Sequence, residues 1–196
     1  MSETLQELLD ELEQFGRHND AAVSERPGRM LNITRDTGEF LAVMVRATNA
    51  RRVLEIGTSN GYSTLWLAQA ASAVNGKVTT VESSGFKLEL AARNFKRSGL
   101  AQVIHAVHGE AGKLLESMPA AGFDFIFLDA ERSKYPDWWP DIKRVLRKGG
   151  LLVVDNATSH AREMAPLFAL VSAAADFCSC TVPVGNGEFL ATRDLG

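Results

Sequence analysis

Three side chains able to offer oxygen to a hard cation stand at the ends of two apolar runs. Asp129 lies near the end of FDFIFLDA (123–130), and Asp155 with Asn156 closes GLLVVDN (150–156). Read as neighbouring parallel strands, these runs bring two carboxylates and an amide oxygen to one rim. Such a set suits a divalent ion such as Mg²⁺ or Mn²⁺, with positions left for water or substrate. The same residue types also cap turns, so spacing alone leaves both readings open. A second group lies upstream, Glu55-Ile56-Gly57-Thr58-Ser59-Asn60-Gly61-Tyr62-Ser63. Gly57 and Gly61 permit a tight turn and a close approach of ligand to backbone ahead of a helix. About twenty residues further on, Glu82 ends another apolar run, where a carboxylate can accept hydrogen bonds from both hydroxyls of a ribose. The two ends together suggest an adenosine-containing ligand. The spacing Gly57-x-Ser59-x-Gly61 departs from G-x-G-x-x-G, so a pyrophosphate is not required.

These residues need a frame to hold them. RRVLEIG (51–57), KVTTVE (77–82), QVIHAVHG (102–109), FDFIFLDA (123–130) and GLLVVDN (150–156) read as strands, each followed by an amphipathic segment of helical length. That alternation predicts an α/β fold, a doubly wound parallel sheet with helices on both faces, whose ligands sit outside the carboxyl ends of the strands. FCSCTVPV and EFLATR flank Gly185-Asn186-Gly187 and predict a closing antiparallel hairpin. Upstream, a helix is expected over residues 3–16, with Thr4 and Glu7 as a capping box, and another over 36–48, separated by a break at Pro27-Gly28. The stripe Leu5, Leu8, Leu12 packs either on its own domain or on a second subunit, and a homodimer is expected. Gly149-Gly150 after Arg147-Lys148 reads as a helix end with cations at the negative pole of the dipole.

Composition narrows the partners. The chain has 196 residues, 21 Lys plus Arg against 24 Asp plus Glu, and a net charge of -3, which points to a small-molecule partner rather than nucleic acid or an anionic membrane. One domain over 1–196 is expected, with 1–48 a helical region contributing to a lid or dimer contact and 50–193 a ligand-binding core. Cys178 and Cys180 are too few and too close for a disulfide framework, and are expected to pack on one face of a strand. The N-terminus reads as no signal peptide and no run of ~18 apolar residues occurs, so a cytoplasmic protein is expected. Trp138 with Ile142, Val145 and Leu146 follows a helical stripe and reads as core, and His105 and His108 read as structural.

LEIGTSNGYSTLWLA (54–68), TTVE (79–82), FIFLDAERSKY (125–135), VLRKGGLLVVDN (145–156) and VPVGNGEFLATR (182–193) resemble, in order, the cation-dependent O-methyltransferases, the group with the catechol and caffeoyl-CoA enzymes. The resemblance spans about residues 30–193. It implies a Rossmann-like, mostly parallel seven-stranded sheet and S-adenosylmethionine as cofactor. It places Glu55, Gly57, Ser59, Gly61 and Ser63 on the cofactor side, with Ser63 bonding the methionine carboxylate and Glu82 holding the ribose. Gly109, Glu110 and Ala111 would border the adenine, and Asn32-Ile33-Thr34 would close over the methionine end. Asp129, Asp155 and Asn156 align with the metal ligands, Asp129 also touching the cofactor.

The implied reaction is O-methylation of a small vicinal diol of catechol type, its attacking hydroxyl made acidic and oriented by the metal. The family commonly places a general-base lysine three residues after the first metal aspartate and a tyrosine six residues after; this chain has Arg132 and Tyr135. Arginine stays protonated, so Arg132 is read as an electrostatic helper. Lys134 lies close in sequence, and His160 and Arg162 leave the metal rim. The alternatives are a hydroxylated tRNA base as acceptor, or a protein that binds the cofactor without turnover.

Overall fold

The computed structural model describes residues 4–195. Two helices, α1 (Leu5–Ala22) and α2 (Arg35–Ala47), precede an alternating run: β1 (Arg52–Ile56), α3 (Tyr62–Ala73), β2 (Lys77–Glu82), α4 (Gly85–Arg97), β3 (Ile104–His108), α5 (Ala111–Ser117), β4 (Phe123–Leu128), α6 (Tyr135–Val145), β5 (Leu146–Val154) and α7 (Ala161–Ser172). The hairpin β6 (Phe177–Val182) and β7 (Glu188–Arg193) closes the chain. The sheet order is β3-β2-β1-β4-β5-β7-β6, with β1 to β5 parallel, β7 antiparallel to β5 and β6 antiparallel to β7. This is the expected doubly wound architecture with its closing hairpin. The strand order reverses between β1 and β4, where such sheets open a crevice at their carboxyl ends.

Period-two alternation divides the core. Val53, Val78, Phe125, Phe127 and Val153 face α1 to α4, whereas Leu54, Ile56, Val81, Ile126, Leu128 and Val154 face α5 to α7. Leu8, Leu9 and Leu12 of α1 are buried in the chain's own core, so that stripe is covered without a second subunit. The Thr4–Glu7 capping box is present, while the expected first helical residue, 3, lies outside the described residues. The helix runs past the expected end at 16 because its last turn is tied down tertiarily: the Met30 amide donates to Asn19 and Asp20, and the Leu31 amide to Asp20.

Two expectations are corrected. Helix α6 ends at Val145, its last turn carrying Lys143 and Arg144, and Leu146 to Gly150 already belong to β5. Arg147 therefore closes no helix; its Nε donates to Asp124 Oδ1 at 2.8 Å. Cys178 and Cys180 are exposed, because β6 is an edge strand whose middle is open on both faces. Among the described residues no helix is long and apolar enough to cross a membrane.

Asp124 fastens the amino ends of the strands, accepting from the Arg51 and Arg52 amides, both at 2.9 Å, and from the guanidinium groups of Arg52 and Arg147. These bonds outweigh burial and hold its carboxyl at about 2. A carboxyl depressed from 3.8 contributes stability above that value and loses it as pH falls through the folded one. Asp124→Asn should thus cost about 1–2 kcal/mol at pH 7 in urea denaturation. The difference from wild type should shrink as pH falls from 4 toward 2; a constant difference contradicts this account.

Candidate active site

At the carboxyl ends of β1, β2, β4 and β5 lies one cavity of about 990 Å³. It is lined by Ile33, Gly57, Ser59, Ser63, Glu82, Gly109, Glu110, Ala111, Asp129, Arg132, Asp155 and Asn156 among the sequence-derived candidates. The turn after β1 approaches the end of β4 so closely that a Cβ on Gly57, at φ +110°, would stand 2.0 Å from the Asp129 carbonyl oxygen. Only glycine allows that contact. Ser59 also sits at positive φ, 47°, a conformation costly for a residue with a Cβ. Its amide there donates to Glu82 Oε2 at 2.8 Å and its hydroxyl to the Met30 carbonyl at 2.7 Å. The segment between α1 and α2 is thus pinned across the β1 turn, and Ile33 and Asn32 line the cavity beneath it.

Glu55 and Gly61 do not line the cavity. The Glu55 carboxyl is fully buried and accepts from the hydroxyls of Ser63 and Thr80, each at 2.5 Å, and of Thr64. Burial pushes it above the usual carboxylate range despite those three bonds. Its role is to brace Ser63, whose hydroxyl is already engaged there. A Cβ on Gly61 would meet the Phe95 ring at 2.5 Å, so this glycine serves the packing of α3 on α4. Thr34 caps α2, and Arg162 lies away from the cavity.

Asp129, Asp155 and Asn156 are brought together. The Asn156 side-chain amide donates to Asp155 Oδ2 at 2.8 Å and toward Asp129 Oδ1 at 3.4 Å. Burial, then the charge of Asp155, drives the Asp129 carboxyl well above its ordinary value, and burial raises Asp155 in turn. Asp155 Oδ1 is buried without a hydrogen-bond partner. Two repelling carboxylates, one orphaned oxygen and an amide N–H held between them fit a divalent cation: half a turn of the amide would offer Oδ1 where Nδ2 now stands. Among the described residues no group of three or more His, Cys, Asp or Glu gathers around a metal position, so the third ligand here would be the amide.

Arg132 lines the cavity and donates from Nε to Glu163 at 2.8 Å. Its charge acts against the upward shift of Asp129 and Asp155. The buried Tyr135 hydroxyl accepts from the Ala130 amide at 2.7 Å, and burial drives its pKa up. His160 and Lys134 reach the cavity as well. Trp138, expected in the core, is half-buried and lines the cavity with Glu110 and Ala111, while its neighbour Trp139 takes the core position. The helical stripe admitted either tryptophan, and spacing could not choose.

Sequence reading missed Glu188, the first residue of β7 and fully buried. Its Oε1 accepts from the Thr37 hydroxyl at 2.9 Å, and its Oε2 has no donor. Burial and the neighbouring Asp155 charge push this carboxyl up to about 10, so at neutral pH it keeps its proton. A carboxyl raised from 4.5 stabilises fully below that value and loses its contribution as pH climbs toward 10. In metal-free protein, wild type should lose stability relative to Glu188→Gln by up to about 1.4 kcal/mol per pH unit. Urea denaturation between pH 6 and 9 checks this, and parallel curves contradict it.

Residues 1–166 match the profile of a family described as O-methyltransferase. A catechol O-methyltransferase of Mycobacterium tuberculosis is 37% identical over 124 residues, covering 63% of this chain and 56% of that protein. The chain thus spans little more than half the length of that relative. The O-methyltransferase of Bacillus cereus, solved in complex with SAH, superposes with a TM-score of 0.79 at 25% identity, covering 95% of this chain and 90% of the other. TomG of Streptomyces achromogenes, an O-methyltransferase of tomaymycin synthesis solved with SAM, gives 0.80 at 26% identity over 96% and 90%. By the family match, the fold and the ordered motifs, this chain belongs to the O-methyltransferase family.

Proposed function

We propose that the protein transfers a methyl group from S-adenosylmethionine to one oxygen of a small vicinal diol of catechol type, with a divalent cation in attendance. The observation that supports this most directly is the continuity of the cavity. One wall carries Ser59 and Glu82, suited to an adenosyl group, and the far rim carries Asp129, Asp155 and Asn156. A ligand on the first wall and a diol at the rim would meet inside one space closed by Met30 and Ile33. The structures of the B. cereus protein with SAH and of TomG with SAM favour the same donor.

The donor supplies a sulfonium methyl whose C–S bond breaks as the acceptor oxygen attaches, so no covalent enzyme intermediate is needed. A cation on Asp129, Asp155 and Asn156 would supply acidity to a neighbouring hydroxyl and compensate the crowded carboxylates. The rest falls to side chains. Glu82, fixed by the Ser59 and Ser84 amides, presents its remaining lone pairs to the ribose hydroxyls. Arg132, held by Glu163, would place a positive charge beside the developing phenolate. Tyr135 cannot take the proton, because its hydroxyl is protonated and already committed to Ala130.

Methyl transfer from labelled S-adenosylmethionine to catechol should fall about 100-fold or more with excess chelator and return with Mg²⁺ or Mn²⁺. Asp155→Ala should lower kcat/KM to a similar extent, and Arg132→Ala should lower it and move the ascending limb of its pH profile to higher pH. Turnover indifferent to chelator and to Asp155→Ala would sink the metal-assisted reading; absence of transfer to any vicinal diol would sink the reaction.

A further inference from the structure

The cationic side chains Arg26, Arg29, Arg132 and Lys134 line the cavity together with the acids Asp20, Glu131, Asp129 and Asp155. Arg26 lies 4.0 Å from Glu131, which brings the turn Arg26–Gly28 to the loop that follows Asp129. On that loop Arg132 is held by Glu163 and Lys134 lines the cavity. Arg29 lines the same cavity, half-buried, with its Nε shielded from solvent and without a hydrogen-bond partner. Among the described residues neither Arg29 nor Lys134 makes a side-chain hydrogen bond or an ion pair. The acids nearby are engaged. Asp20 accepts from the Met30 and Leu31 amides at 2.7 and 2.9 Å, Glu131 from the Ser133 hydroxyl at 3.1 Å, and Glu163 from Arg132.

Building on the methyl-transfer reading above, we propose that this wall is an anion subsite, and that the natural acceptor is a vicinal diol bearing an acidic substituent, a carboxylate or a phosphate monoester, held by Arg29 with support from Lys134. A guanidinium Nε–H shielded from water with no acceptor is costly until one completes it, and a planar acid group can do so with two parallel hydrogen bonds to Nε and Nη. Among the described residues nothing supplies that acceptor to the Arg29 Nε. The rim carboxylates share the Asn156 amide and make no bond to Arg29, so the acceptor that Arg29 lacks would arrive with the ligand. An ammonium group at the same point would meet the charges of Arg29 and Lys134, neither of which has an ion-pair partner among the described residues. The subsite thus discriminates by charge as well as by shape.

Four acceptors test this under one assay: catechol, dopamine, 3,4-dihydroxybenzoate and 3,4-dihydroxybenzyl phosphate. KM should be about tenfold or more lower for an acid than for catechol, and highest for dopamine; the better acid names the substituent. In Arg29→Gln the ratio of catechol KM to acid KM should collapse toward one, with Arg29→Lys in between. The preference should weaken as salt is raised. Calorimetric binding of 3,4-dihydroxybenzoate to wild type and Arg29→Gln gives the same comparison without turnover. Equal KM values across the four acceptors, or a ratio unmoved by Arg29→Gln, overturn the subsite and leave the reaction standing. Arg29-dependent binding with no methyl transfer keeps the subsite and overturns the reaction.

Discussion

Asp129, Asp155 and Glu188 converge at the ends of β4 and β5 and the start of β7, where burial pushes all three carboxyl groups upward. Three negative charges so placed would drive the strand ends apart. The fold answers with several devices, each visible in a named residue. Glu188 keeps a proton and is anchored by the Thr37 hydroxyl on α2. Asn156, at φ 68°, adopts a backbone conformation that few side chains tolerate, and from there places its amide between the two aspartates. Arg132 adds a positive charge nearby that Glu163 fixes in direction. The raised carboxyls are a cost that a bare sheet end would not carry, which makes this cluster the candidate working rim.

The same rim explains the chain before the sheet. A cavity bounded only by strand ends would lie open on one side. Asp20, at the end of α1, holds the Met30 and Leu31 amides, and the Ser59 hydroxyl holds the Met30 carbonyl, so the connection between α1 and α2 is stitched to the β1 turn from both sides. Thr37, one turn into α2, reaches Glu188 behind the rim. The N-terminal helices therefore touch both ends of the cavity. Displacing α1 would loosen the wall that carries Arg29 and Met30.

Much of this was legible in the sequence, and the reason differs by residue. The strands of the parallel core announce themselves because burial on both faces demands unbroken apolar runs, as in FIFL and LLVV. Asp129, Asp155 and Asn156 stand at strand ends, so calling the strands was enough to bring them together. Glu188 escaped because a carboxylate after a hairpin glycine looks like a solvated turn residue; only the antiparallel register of β7 on β5, with Phe189 opposite Val154, carries it inward. Trp138 escaped because adjacent tryptophans on a helix cannot be told apart by periodicity when one faces the core and the other a ligand space. Arg147 was misplaced because Gly149-Gly150 looks like a helix stop, whereas the glycines lie in the irregular stretch of β5 where pairing with β4 shifts register.

The guanidinium at 132 has a consequence for the acceptor that follows from acidity alone. On the methyl-transfer reading, a lysine there could hold its proton, release it and take another, whereas arginine keeps a constant charge. Neither Arg132 nor Tyr135 can then remove the acceptor proton: the first never accepts one, and the second is buried, protonated and bonded to Ala130. On that reading the rim would make the hydroxyl acidic, and its proton would pass to solvent or to another group of the cavity such as His160. A phenol, with a pKa of about 10, needs a shift of only a few units to ionise near neutrality. An aliphatic hydroxyl, far less acidic, would stay protonated under the same field. On the same reading, arginine in place of lysine would favour phenolic over aliphatic diols, through chemistry rather than through shape.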